Sequence, residues 1–227
     1  MDAFPRYVIM GVVFAYSCIL HECAHVWSAL KMGDPTGKHE GRLTLNPLPH
    51  LDPFWTVLLP LWTYYTAHFP IGGPKPAPVN PLNFKDPRVG SMWSGLAGPA
   101  MNLLLAGGAM LLLWILRKAL PDWVLPESYN ALFLTTVMFV NASLAALNLL
   151  PVPPLDGSRF LRFILGRKGD AALDGIERLG FIPIFIAFYF LGRPVSVFVQ
   201  GTLYYLLEQL FEREYAVSLL KTYFGVQ

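Results

Sequence analysis

The sequence predicts an all-α polytopic membrane protein of about five to six membrane helices, with a short interfacial β element and a re-entrant segment. Three observations lead there. Of the 227 residues, 54% are hydrophobic and 14% charged, where a soluble domain carries about 25% charged residues. The mean hydropathy is +0.45, more apolar surface than a water-soluble core of this size hides. Several apolar runs also reach the ~20 residues that cross a hydrocarbon core about 30 Å thick.

The runs cover 7–30, 53–69, 90–116, 129–150 and a broken tract over 176–211. The first, third and fourth are long enough to span, and the second is marginal. Only Arg6 precedes the first run as a basic residue and no small-residue cleavage site follows it, so it is expected to stay as a helix rather than leave as a signal peptide. The last tract carries Gly192-Arg193-Pro194, a helix-stop pattern that predicts two short spans or one kinked one. Between the first two runs, Gly41 to Asn46 alternates in polarity and reads as one interfacial strand. Residues 70–89 hold six prolines and read as an extended, helix-free return. The whole chain, 1–227, is expected to form one membrane-embedded domain, with a core over 7–165 and accessory helices over 176–211.

Several function classes drop out. A formal net charge of +2 is too small for the basic stripe of a nucleic-acid binder. No internal repeat supports an inverted-repeat transporter. The two cysteines, Cys18 and Cys23, sit inside one apolar run, which excludes a disulfide framework and a four-cysteine zinc site. Cys18, three residues before His21, could lie near a metal but reads as a buried inert thiol, and Cys23 points away from the histidine face.

The first run contains His21-Glu22-Cys23-Ala24-His25. Residues four apart on a helix share a face, so both imidazoles can meet one cation. Glu22 is rotated off that face by about 100° and can reach a water beside the metal. This is the mechanical content of the H-E-x-x-H zinc motif, and ionisable residues inside a membrane helix are functional by default. A catalytic zinc needs a third protein ligand. Asp156, at the end of the segment from Asn148 to Gly157, is the candidate, and Asp52 is its competitor. Read without a metal, Asp156 is the N-cap of a helix starting near Ser158. His39, His50 and His68 lack helical pairing and read as surface or interface histidines.

These residues resemble the site-2 proteases, which are intramembrane zinc metalloproteases. The resemblance rests on His21 to His25 in a membrane helix, Gly98-Pro99 followed by Asn102, and Asn148 through Asp156-Gly157. The blocks from Gly41 to Leu48 and from Pro76 to Pro81 are similar to the compact prokaryotic branch. The resemblance runs from about Ser17 to Leu165, and Ser158 stands where many relatives have a second glycine. It implies that His21, His25 and Asp156 bind Zn2+, that Glu22 is the catalytic base and that Asn148 helps hold a substrate strand. It carries none of the PDZ or CBS inserts of some relatives.

The implied reaction is hydrolysis of peptide bonds in or near the transmembrane segments of membrane-protein substrates, as in regulated intramembrane proteolysis. A membrane helix must unwind to be cut, and the amides of Asn148 and Asn102 could replace the hydrogen bonds it loses. Two rivals remain at this point: a metalloprotease of the prenyl-protein type, with no need for Asp156, and a silent membrane binding protein or transporter, with no need for Glu22. If one metal touches the end of the first run and Asp156, both lie on one side of the membrane. Residues 53–89 must then leave and return on that side. With two further spans assumed after Asp174, the positive-inside rule puts that side in the cytoplasm, with Met1 outside a prokaryotic inner membrane.

Overall fold

The computed structural model describes residues 3–67, 72–180 and 182–224, and these are helical and irregular, with no strand among them. Helix α1, Ala3–Met32, has no acidic residue in its first turn and carries Lys31 in its last, where a cation suits the helix dipole. It stops at Gly33, whose φ of 111° lies in the region that favours glycine. The buried Asp34 then staples the next stretch. Its carboxylate accepts from the Asn80 N–H at 2.7 Å, the Asn83 amide at 2.8 Å and both the N–H and hydroxyl of Thr36. The short helix α2, Thr36–His39, follows.

The expected strand at Gly41 to Asn46 does not form; the segment is a run of turns and bends. A strand needs a partner with free N–H groups, and the neighbouring stretch has proline at 74, 76 and 78. The connection is instead a side-chain clamp. The buried Arg42 guanidinium donates to the carbonyls of Pro49, Lys75 and Pro76.

A π-helical turn, Pro53–Leu58, runs into α3, Leu59–Ala67, capped by the Asp52 carboxylate on the N–H groups of Phe54 and Trp55. The chain is back beside this entry point by residue 73, where Gly73 N–H donates to Trp55 O at 3.2 Å and Lys75 N–H to His50 O at 2.8 Å.

Helix α4, Pro87–Ala119, has Asp86 as N-cap and proline at its first position, a strong start signal. It packs against α1, against α5 (Tyr129–Asn148) and against α6 (Gly157–Leu165). Helix α7, Arg167–Glu177, is tied down by Arg88–Asp170 at 2.6 Å and by Arg162 to Asp174 and Glu177.

Of the two forms expected for the final tract, the single helix is the one found: α8, Ile182–Leu210, with Pro194 inside it. A proline removes a single N–H from the ladder, which a membrane helix tolerates. The last helix, α9 (Arg213–Phe224), is too short to span. It folds back on the bundle: Tyr215 OH donates to Val124 O, the Arg6 guanidinium to Tyr223 O, and Tyr223 stacks on Phe139 at 4.5 Å. Four helices among the described residues are long and apolar enough to cross a membrane, namely α1, α4, α5 and α8, fewer than the five to six expected. Their main apolar core, with Leu113, Met138, Leu207 and Leu219 almost wholly buried, is shared by α4, α5, α8 and α9.

The Asp34 staple has a pH signature. Burial alone would raise its carboxyl, but the hydrogen bonds from Asn83, Thr36 and Asn80 outweigh that and hold it below the ordinary value. A lowered folded-state pKa gives stability that is present above the unfolded value of about 3.9 and is lost as pH falls through the folded value. Detergent-solubilised wild type should therefore lose more thermal stability than Asp34→Ala on going from about pH 5 to pH 3. Equal losses in the two proteins would contradict the staple.

Candidate metal centre

The centre forms where α1, α4 and the turn before α6 meet. His21 and His25 lie one turn apart on α1, both buried, with their rings edge to face. Gly98 of α4 closes directly over them: a Cβ there would lie 2.5 Å from His25 Nε2 and 2.6 Å from His21 Nε2. Only glycine permits that approach. From the other side, the chain leaves α5 and folds back so tightly that a Cβ on Gly157 would stand 2.3 Å from Leu149 O. This fold-back brings the Asp156 carboxylate under the two rings.

Asp156 occupies the N-cap position of α6 but caps no backbone N–H. Its Oδ2 lies 3.1 Å from His21 Nε2 and 3.2 Å from His25 Nε2, and the two Nε2 atoms are 3.0 Å apart. Asp52 is the residue that caps a helix, so the two aspartates divide the capping and inward-facing roles cleanly.

The outer ring nitrogens define the tautomers. His25 Nδ1 donates to the Ser94 backbone carbonyl at 2.6 Å, which can only accept. His21 Nδ1 donates to Asn102 Oδ1. The orientation of that amide is fixed by a buried chain: Asn102 Nδ2 donates to Asn141 Oδ1 at 2.7 Å, and Asn141 Nδ2 donates to Ser17 Oγ at 2.8 Å and to the Val137 carbonyl, which can only accept, at 2.9 Å. With both Nδ1 atoms carrying protons, the neutral imidazoles point two lone pairs at each other and at a carboxylate oxygen. That is repulsive without a cation between them. Tetrahedral zinc with bonds of about 2.0–2.2 Å holds its ligand atoms about 3.3 Å apart, close to the spacing seen. The donor set and its spacing fit a zinc ion.

Asn102 was expected on the substrate. It is wholly buried and both ends of its amide are engaged, by His21 and Asn141, so it faces the histidine instead. Asn148, seven residues after Asn141, does line a cavity of about 750 Å³ with His21, Glu22, His25, Ala77 and Asp156. Its amide nitrogen donates back to Leu144 O at 3.0 Å. Glu22 is half-buried on the same cavity wall, and its Oε2 accepts from the Ala77 N–H at 2.6 Å.

Of the unpaired histidines, His39 is exposed as expected. His50 is not a surface residue. It is buried and its Nε2 bonds to Thr44 O at 2.9 Å, because the Arg42 clamp folds the loop around it. His68 lies outside the described residues. Cys18 is buried, and Cys23 turns to the carbonyls of Arg42 and Thr44, away from the cluster. The sequence showed Gly98 only as part of a family motif and gave no task to Ser17, Ser94 or Ala77. Two of these act through backbone atoms, which carry no residue signature. Gly95 and Gly98, at helical spacing beside Pro99, were the visible hint of close packing on α4.

The family model for peptidase family M50 matches residues 125–191, from the start of α5 into α8. YwhC of Bacillus subtilis, named as a zinc metalloprotease, is 37% identical over 184 residues, 80% of each chain. This chain belongs to peptidase family M50. M50 is the site-2 protease family, whose members are membrane zinc metallopeptidases. Two mycobacterial proteins named as zinc metalloproteases, both called Rip2, are also similar. That of Mycolicibacterium smegmatis is 32% identical over 79% of this chain and 66% of its own. That of Mycobacterium tuberculosis H37Rv is 30% identical over 89% of this chain and 74% of its own. No solved structure matches the chain.

The Gly98 contact gives a direct test of the M50 centre. Gly98→Ala should lower zinc per purified chain several-fold while leaving helix content intact. Gly107→Ala on the same helix, where a Cβ meets nothing within 4 Å, should keep its zinc. Full zinc in Gly98→Ala would contradict the tight approach.

Proposed function

We propose that His21, His25 and Asp156 hold the zinc ion of this M50 peptidase, and that Glu22 is its catalytic base. The observation that carries the reading is the buried triangle of three ligand atoms 3.0–3.2 Å apart. A zinc ion held there supplies a water whose pKa falls from 15.7 to about 7. Glu22 stands one residue off the ligand face, on the cavity wall, where a carboxylate can take a proton and return it to a leaving amine. Asn102 keeps His21 in one tautomer and orientation, the usual task of a ligand's outer partner. Asn148 offers an amide to an unwound substrate backbone.

The substrates would be transmembrane segments of other membrane proteins, cut in or near the bilayer. Four apolar helices support membrane embedding, and a cavity of about 750 Å³ is large enough for a short peptide segment. Its wall includes Glu177, Gly180 and Ile184. This supports a single functional unit in which α7 and the start of α8 form the mouth of a core built by residues 7–165.

We read 53–89 as re-entrant, on the support of the backbone contacts that join residues 73–75 to residues 50 and 55. The active-site end would then face the cytoplasm. With α8 as one span, Lys31, Lys38, Arg42, Lys75, Lys85, Arg88, Arg159, Arg162, Arg167, Lys168 and Arg178 share that end. Arg6, Arg117, Lys118, Arg213 and Lys221 lie at the other, and Arg193 sits within α8. Arg213 and Lys221 thus leave the side assigned to them by the two-span assumption, and the positive-inside bias survives.

Two experiments test this. Purified wild type should carry about one zinc per chain; His21→Ala and His25→Ala should lose most of it, Asp156→Ala should bind it more weakly, and Glu22→Gln should keep it while losing cleavage of a single-span reporter. Full zinc in all three ligand variants, or wild-type cleavage by Glu22→Gln, would sink the assignment. In a background without Cys18 and Cys23, cysteines at Lys38 and Lys85 should label from the cytoplasm and one at Lys221 from outside. Opposite labelling of Lys38 and Lys85 would rule out the re-entrant reading.

A further inference from the structure

Residues 74–80 form an irregular strap, neither helix nor strand, with proline at 74, 76 and 78. The prolines carry no N–H, so the strap's backbone donors are those of Lys75, Ala77, Val79 and Asn80. Lys75 N–H donates to His50 O at 2.8 Å. Ala77 N–H donates to Glu22 Oε2 at 2.6 Å. Further along, Asn80 N–H donates to the Asp34 carboxylate at 2.7 Å.

The strap is pinned on both sides of Ala77. Upstream, the Arg42 guanidinium grips the carbonyls of Lys75 and Pro76. Downstream, Pro78 O packs within 3.2 Å of where a Cβ on Gly37 would be, and Asp34 holds Asn80. The three prolines also reduce the freedom of the unfolded strap, so little order has to be created when it docks. A backbone donor fixed in this way differs from a side-chain donor, because it cannot rotate away from its acceptor.

We propose that the Ala77 backbone N–H is a positioning group for Glu22, holding one carboxylate oxygen so that the other stays turned to the cavity. Ala77 and Glu22 both line that cavity. Among the described residues, Oε2 is the only Glu22 oxygen with a hydrogen-bond partner. A charge-assisted bond from an N–H to a carboxylate is about twice as strong as a neutral one, and a glutamate on a half-buried helix face otherwise has several rotamers. The strap therefore selects the one in which Oε1 is free to accept a proton. The Arg42 clamp and the Asp34 staple act on the reaction through this single N–H. The inference rests on the reading of Glu22 as the base.

Ala77→Pro removes that one donor. The position precedes Pro78, which already biases it to extended backbone, and it lies in a run of prolines. Glycine at 77 keeps the N–H. With a single-span reporter, Ala77→Pro should keep the zinc of wild type and its KM while kcat falls about 10- to 100-fold, the scale of a small misplacement of a catalytic group. Ala77→Gly should stay within about threefold of wild type, well inside that margin. If Ala77→Pro does not fold or loses its zinc, lactic acid introduced at position 77 replaces the N–H with an ester oxygen and changes no side chain, and the same fall in kcat is expected. Wild-type or raised kcat in the variant lacking the N–H, beside an inactive Glu22→Gln, overturns the positioning role alone. Wild-type kcat in Glu22→Gln overturns both this role and the reading of Glu22 on which it rests.

Discussion

Three lone pairs converge in the middle of the bundle. His21 and His25 each spend their outer nitrogen on an acceptor, leaving two inner nitrogens to face each other and the Asp156 carboxylate at 3.0–3.2 Å. No arrangement of protons on neutral rings satisfies that triangle, and a cation does. Much of the surrounding architecture serves to enforce it. Gly98 lets α4 press against the rings, Gly157 lets the turn after α5 fold under them, and Asp156 gives up the capping bond its position invites.

The same constraint explains why so much polar chemistry is tolerated inside apolar helices. A buried polar group costs free energy unless it is paired. Ser17, Asn141, Asn102 and His21 form one continuous chain of donors and acceptors across α1, α5 and α4. Each amide in it is used at both ends, so the chain is rigid as well as satisfied. It fixes the relative rotation of three helices by the same contacts that set the His21 tautomer. The strap over 74–80 does the equivalent outside the bundle, joining the Arg42 clamp to Glu22.

Legibility in the sequence followed physical range. The histidine pair was readable because four residues on a helix is a local distance, and the long apolar runs were readable because a bilayer demands a fixed length. Asp156 was favoured over Asp52 by the family resemblance alone, and the fold then showed Asp52 capping a helix and Asp156 turned to the histidines. Pro194 left two short spans and one longer one equally open, because a missing N–H is a local fact, while its tolerance depends on the membrane setting. The strand at Gly41 to Asn46 failed because alternation says nothing about whether a partner has donors to offer. Asn102 was found as polar and interior but placed on the wrong partner, since only the three-helix packing puts it against His21. The carbonyl of Ser94 and the N–H of Ala77 were invisible: every residue has these groups, and only tertiary structure gives them a task.

The centre can be read most directly from the metal outward. X-ray absorption at the zinc edge of the purified wild-type protein reports the ligand atoms and their distances without any assay. The account requires two imidazole nitrogens at about 2.0–2.1 Å and oxygen at about 2.0–2.2 Å, with no sulfur in the inner shell. A sulfur at about 2.3 Å, which Cys18 or Cys23 would have to supply, or a shell without two imidazoles, would contradict it.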